Sequence, residues 1–160
     1  MLALRCTAKL LKRLKLDKEP LEDPGPSTTA LGDWYANVIY MGRQPMVLAV
    51  SERSLLSLLM PARDLDQLPG RLIRTLLEKL KRMGVPETTI RQEVSKMDPV
   101  IYAKTASRSV LGSMNDFTDM VKFTHHVRAD WTLLDWMDQP PLADQEGAVL
   151  HDLFSDTQVD

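Results

Sequence analysis

The stretch that most constrains the fold covers residues 31–60, where β-prone runs alternate with turn residues. The first run, Trp34 to Tyr40, is rich in aromatic and β-branched residues, which favour strands. Gly42-Arg43-Gln44-Pro45 is typical of a turn, after which Met46 to Val50 can return beside the first run. A third apolar run, Leu55 to Met60, lacks β-branched residues but has the length of a strand. We therefore predict an antiparallel meander of three strands.

Helical patterns follow the meander. Apolar residues recur at helical spacing from Pro69 to Met83, with a proline suited to the first turn and Gly84 suited to the C-terminal cap. Pro86 can open a second helix that runs to Met97. The run from Pro99 to Tyr102 is short, apolar and β-prone, so we expect it to add a strand to the sheet.

The N-terminal segment predicts a further strand and helix. Leu2 to Cys6 alternates weakly as a strand does, and Thr7 suits the N-cap of a helix that runs through Leu16. Residues 17–30 combine prolines with acidic residues and read as an exposed connector. This order of elements predicts an α+β fold, in which a small, mainly antiparallel sheet of three to five strands is covered on one side by two to four helices. We expect one domain over residues 1–124 and a helical, acidic extension over residues 125–160.

The segment 104–119, KTASRSVLGSMNDFTD, is more particular than a generic core element requires. On a helix that Ser107 can cap, one face carries four apolar residues, Val110, Met114, Phe117 and Val121. That stripe predicts packing onto a core.

The opposite face of the same helix carries Arg108, Gly112, Asn115 and Asp119. Glycine inside a helix costs about 1 kcal/mol relative to alanine, so a compensating role is expected. The missing side chain lets a ligand or another backbone lie between an arginine fork and an amide that both donates and accepts hydrogen bonds. We therefore predict a binding surface of Arg108, Gly112 and Asn115, with Trp34 and Asn37 nearby; the alternative is a solvated polar face with a tolerated glycine.

Composition limits the class of protein. A net charge of −2 argues against a strongly basic nucleic-acid binder, although a local patch remains compatible with it. The single cysteine, Cys6, excludes an internal disulfide, and no run approaches the roughly 20 apolar residues of a membrane span. We expect a cytoplasmic protein without a membrane partner. Its ends differ, because residues 1–20 carry six basic and two acidic side chains whereas residues 138–160 carry six acidic side chains and no Lys or Arg.

Two alternative functions rest on other residues. Nucleic-acid binding would use basic residues of the first two helices, Lys9, Lys12, Arg13, Arg71, Arg74, Lys81 and Arg82. A small hydrolase or nuclease would need Arg108, Asn115, Asp116 and a histidine to converge in a cleft. We expect neither a catalytic site nor a cofactor or metal site, because the chain has no phosphate-binding glycine loop and only one cysteine and three histidines. A protein partner or self-association is expected ahead of nucleic acid.

Several short signatures occur in one order: Arg5-Cys6-Thr7, Lys9-Leu10-Leu11, Trp34-x-Ala36-Asn37, the runs between Met46 and Met60, Lys104-Thr105, Arg108-Ser109 and Met114-Asn115. In this order the chain resembles a small bacterial domain family of unknown function, whose members stand alone or accompany a plasmid ORF-3-like domain. The resemblance covers residues 3–120 and leaves the C-terminal forty residues outside it. It implies no activity or cofactor, but it does imply that Trp34, Asn37, Arg108 and Asn115 belong to a shared pattern.

Overall fold

The computed structural model of this chain describes residues 1–127. These residues form five strands, four α-helices and one short 3-10 turn at Leu65–Gln67. The strands are β1 (Leu2–Cys6), β2 (Trp34–Met41), β3 (Gln44–Ser51), β4 (Ser57–Pro61) and β5 (Val100–Lys104). The helices are α1 (Ala8–Arg13), α2 (Leu68–Arg82), α3 (Glu87–Ser95) and α4 (Arg108–Val127). The α+β class is confirmed.

The sheet has the order β4-β3-β2-β1-β5. The meander is confirmed, because β2 pairs antiparallel with β3 and β3 with β4. The N-terminal strand β1 instead lies parallel to both of its neighbours, with Leu4 opposite Trp34 of β2 and opposite Tyr102 of β5. The sheet is therefore mixed, with two antiparallel and two parallel pairs, rather than mainly antiparallel. Turn residues predict a hairpin, whereas no local sequence pattern predicts where in the sheet a strand pairs after a long connection.

Helices cover both faces of the sheet, which corrects the expectation of a one-sided cover. Apolar residues of α1, α2 and α3 share one core with Trp34 and Val38 of β2. Tyr35 and Ile39 of the same strand point the other way and form a second core with α4. Successive strand residues alternate between faces, so a strand that is apolar at nearly every position, as β2 is, can be buried on both sides.

The connector between α1 and β2 is not simply exposed, as its composition suggested. Ser27 and Thr29 are buried, and the Ser27 hydroxyl accepts a hydrogen bond from the backbone N–H of Ala3 at 2.8 Å. Further along, the carboxylate of Glu93 on α3 accepts hydrogen bonds from the N–H groups of Ala30 and Leu31, at 2.8 and 2.9 Å. The connector thus joins the start of β1 to α3.

Several predicted helix bounds are confirmed to within a few residues. The helix predicted from Pro69 to Met83 is α2, and the Thr7 hydroxyl caps α1 by accepting a hydrogen bond from the N–H of Leu10. Lys79 of α2 is buried. No helix within the described residues combines the length and apolar character needed to cross a membrane.

Candidate functional site

The start of α4 is fixed to the sheet. The Ser107 hydroxyl accepts a hydrogen bond from the N–H of Val110 at 3.2 Å, which confirms the predicted cap. The N–H of Ser107 itself donates to the Tyr35 hydroxyl on β2 at 3.0 Å. Val110, Met114 and Val121 then bury the inner side of the helix against β2 and β3. The opposite side of α4 is consequently held at a defined height and rotation above the sheet.

The outer side of α4 lies open to solvent. Arg108, Gly112, Asn115 and Asp119 are all exposed, and we call these four residues the α4 outer face. Apart from its two chain neighbours and the surrounding backbone of α4, a Cβ atom built on Gly112 meets no atom of the described residues within 4 Å. Close packing inside this part of the chain therefore gives no reason for the glycine, which leaves open space between the arginine and the asparagine.

A further exposed residue of α4, Phe123, was not singled out in the sequence analysis. Phe123 is 70% exposed, the most exposed large apolar side chain among the described residues. It follows the buried Val121 by two positions, and two residues on a helix are about 200° apart, so it faces away from the core. Phe117, which belongs to the predicted apolar stripe, is partly buried against the second core.

The other arginine of the shared signatures, Arg5, is buried in the interior strand β1, on the face opposite Leu4 and Cys6. Its Nε donates to Asp33 at 2.7 Å, its two terminal nitrogens reach Asp23, and one of them donates to the backbone oxygen of Lys104 at 3.0 Å. The second oxygen of Asp33 accepts hydrogen bonds from the N–H and the hydroxyl of Ser27. Every polar end of this network has a partner, so Arg5 ties β1, β5 and the connector together.

The charges of this network stabilise one another. Burial by itself raises the pKa of Asp33, but the hydrogen bonds from Ser27 and Arg5 outweigh it and leave the pKa below its ordinary value. Burial by itself lowers the pKa of Arg5, but the hydrogen bonds to Asp23 and Asp33 outweigh it and leave the pKa above its ordinary value. Both groups are therefore held in their charged forms.

Trp34 and Asn37 do not join the α4 outer face. Trp34 has no exposed surface and packs in the core under α1, α2 and α3, on the far side of the sheet from α4. Its indole Nε1 has no hydrogen-bond acceptor among the described residues. Asn37 is half-buried, and its side-chain oxygen accepts a hydrogen bond from the Thr7 hydroxyl at 2.6 Å. These contacts favour a structural role for both residues of the Trp34-x-Ala36-Asn37 signature.

A basic and aromatic patch lies on the face of the sheet opposite α4. Lys9 and Arg13 of α1 lie over the half-exposed ring of Tyr40, with their charged groups 5.1 and 5.8 Å from its centroid. Arg13 also donates to the Tyr40 hydroxyl at 3.1 Å. Lys12 is exposed beside them. On α2, Arg71 is engaged within the chain, because it donates to the backbone oxygens of Pro61 and Arg63. The other predicted basic residues of this helix, Arg74, Lys81 and Arg82, are exposed.

The residues of a hydrolase are not brought together in the described part of the chain. Asn115 and Asp116 are exposed, whereas His125 lies nine residues further along α4, about 13 Å at the rise of a helix, beside Gly42. No group of three or more metal-ligating side chains occurs among residues 1–127. Cys6 is buried, and burial raises the pKa of its thiol to about 12, which disfavours the reactive thiolate. The third histidine, His151, lies outside the described residues.

Comparison with known proteins identifies a family. The family model described as Domain of unknown function (DUF6933) matches residues 3–145 of the 160. The match extends the predicted resemblance, which stopped at residue 120, by 25 positions. No curated protein and no solved structure matches the chain.

Proposed function

The chain belongs to the DUF6933 family, and we propose that this protein is a non-catalytic binding module whose contact surface is the α4 outer face. The observation that carries the proposal is the contrast between the two arginines of the signatures. Arg5 is buried and saturated by its own chain, whereas Arg108 is exposed and makes no hydrogen bond or ion pair within the described residues.

Two residues of the α4 outer face are unfavourable for the helix that carries them. Gly112 costs about 1 kcal/mol relative to alanine. Arg108 is the first residue of α4, in a first turn without an acidic residue, and a positive charge near the positive end of a helix dipole costs roughly 0.3–1 kcal/mol. Residues that break local rules without an internal compensation are expected at functional positions. A contact outside the chain supplies that compensation.

The chemistry of the face suits a protein surface. A guanidinium offers five N–H donors in a fixed plane, the Asn115 amide both donates and accepts, and the gap at Gly112 admits a backbone between them. The proposal includes a bacterial cytoplasmic location, because a chain with one cysteine forms no internal disulfide.

Affinity capture from a lysate of the native host tests the proposal. The tagged full chain is compared with Arg108→Ala and with Arg91→Ala as a matched control, since Arg91 is an exposed helical arginine that pairs with Glu87 of its own helix. We expect a specific protein to be captured by the wild type and the control and to be lost with Arg108→Ala, while circular dichroism remains unchanged. Equal capture by all three chains would contradict the proposed surface.

A second candidate function, binding of single-stranded nucleic acid, is favoured by one observation. Lys9 and Arg13 lie over the Tyr40 ring, Lys12 is exposed on the same helix, and none of these three cations forms an ion pair with a described acidic residue. An aromatic ring among cations provides both stacking and phosphate contacts. Fluorescence anisotropy with a labelled oligonucleotide tests this function. We expect an affinity that falls steeply with salt and is lost in Lys9→Ala/Arg13→Ala; an affinity insensitive to salt or to this variant would rule the patch out.

A further inference from the structure

We propose that the α4 outer face binds the same face of a second copy of this chain. The two helices lie antiparallel across a two-fold axis that passes between Gly112 and Asn115. This inference rests on the proposed function and names its partner.

The spacing of the face is the first argument. Arg108, Gly112, Asn115 and Asp119 follow one another at intervals of four, three and four residues, which keeps them in a single stripe along the helix. Because this series of intervals is the same in both directions, reversing one helix aligns the four positions with those of its copy. Gly112 then meets Asn115 of the second copy, and Arg108 meets Asp119.

The charge of the face is the second argument. The stripe has a cation at one end and an anion at the other, and both are exposed. Within one helix these residues are eleven positions apart, about 16 Å along the axis, which is too far for an ion pair. An antiparallel copy places each arginine opposite an aspartate, twice over, as a two-fold symmetric interface requires. A parallel copy would place like charges opposite each other and is disfavoured.

The centre of the face is the third argument. Helix axes in contact lie about 8–10 Å apart, and the distance depends on the side chains between them. At Gly112 there is no side chain, and the space where one would project is empty of described atoms. The Asn115 amide of the second copy fits into that space, where it can reach the backbone of the first helix. The glycine therefore sets how closely the helices approach, while the charged pairs set their direction.

Sedimentation equilibrium of the full chain tests the pairing through charge reversal. We expect Arg108→Asp alone to raise the dimer dissociation constant roughly tenfold or more, because it sets aspartates opposite each other, and Asp119→Arg alone to do the same with arginines. An equimolar mixture of the two variants should recover wild-type association as a heterodimer, because every pair is again of opposite charge. The double variant Arg108→Asp/Asp119→Arg should recover it as a homodimer.

Controls separate this inference from the function it rests on. Arg91→Asp on α3 changes charge by the same amount outside the face and should associate as the wild type does. A wild-type chain that is monomeric at all concentrations, or single variants that the mixture does not rescue, would overturn the pairing. If capture of a host protein still depends on Arg108 in that case, only the identity of the partner is wrong. If that capture is also absent, the binding surface is wrong as well.

Discussion

Arg5 and Arg108 show two opposite uses of the same side chain. Arg5 lies in an interior strand and its side chain is buried, so its guanidinium must find acceptors within the chain. Arg108 begins a helix that is buried only on its other side, so its guanidinium lies in water. Two arginines from equally prominent signatures therefore have different roles: the first holds the fold together, and the second is available for contact.

The largest effect should follow from removing Arg5. Arg5→Ala leaves the buried Asp33 carboxylate without its cation, and breaking a buried ion pair by removing one partner costs about 3–5 kcal/mol. Urea unfolding measures the change in the free energy of unfolding. Arg5→Lys serves as a control that keeps the charge but loses the fork between Asp23 and Asp33, and it should lie between the wild type and Arg5→Ala. A cost below about 1 kcal/mol for Arg5→Ala would mean that the network is not structural.

The same network should make the protein sensitive to acid. The pKa of Asp33 is lower in the folded chain than its ordinary value, so its contribution to stability is complete above the unfolded pKa of about 3.9 and is lost as the pH falls through the folded value. We expect the free energy of unfolding to decline more steeply below about pH 4 in the wild type than in Asp33→Asn. Urea titrations at a series of pH values check this. If the free energy of unfolding declined equally steeply below about pH 4 in the two proteins, Asp33 would not be the responsible group.

A smaller effect of opposite sign is expected on the outer face. Gly112→Ala places a methyl group in space that no described atom occupies, so it should raise the free energy of unfolding by roughly 0.5–1 kcal/mol through helix propensity. The bulkier Gly112→Leu should fold as well but weaken self-association, because its side chain fills the space between the paired helices. Thermal unfolding and sedimentation of both variants provide the measurements. A destabilised Gly112→Ala would place a hidden contact at this position.

Local features of the fold could be predicted from the sequence, and non-local ones could not. Hairpin turns, the Thr7 and Ser107 caps and the apolar stripes of α2 and α4 involve residues close in sequence, and each was predicted. The parallel pairing of β1 with β5 joins residues almost a hundred positions apart, and no residue spacing in the sequence predicts it. The placement of α4 on its own side of the sheet was missed for the same reason.

The candidate site shows the same difference between local features, which were predicted, and non-local ones, which were not. Helical periodicity predicted an outward Arg108, Gly112 and Asn115, which the structure places on one exposed face. The expected proximity of Trp34 to that face is wrong, because strand alternation places Trp34 on the other side of the sheet. No role was predicted for Arg5. Its partners are Asp23, which lies in the connector, and Asp33, which lies just after it. No local sequence pattern predicts the path of that connector.

The free energy of unfolding of Arg108→Ala tests the central contrast most directly. It is measured by urea titration beside the wild type, at a protein concentration low enough for both chains to be monomeric. We predict a difference within about 0.5 kcal/mol of zero, as for an exposed side chain without partners among residues 1–127. A loss of about 2 kcal/mol or more, approaching that of Arg5→Ala, would show that Arg108 also holds the fold together and would contradict its role as a contact residue.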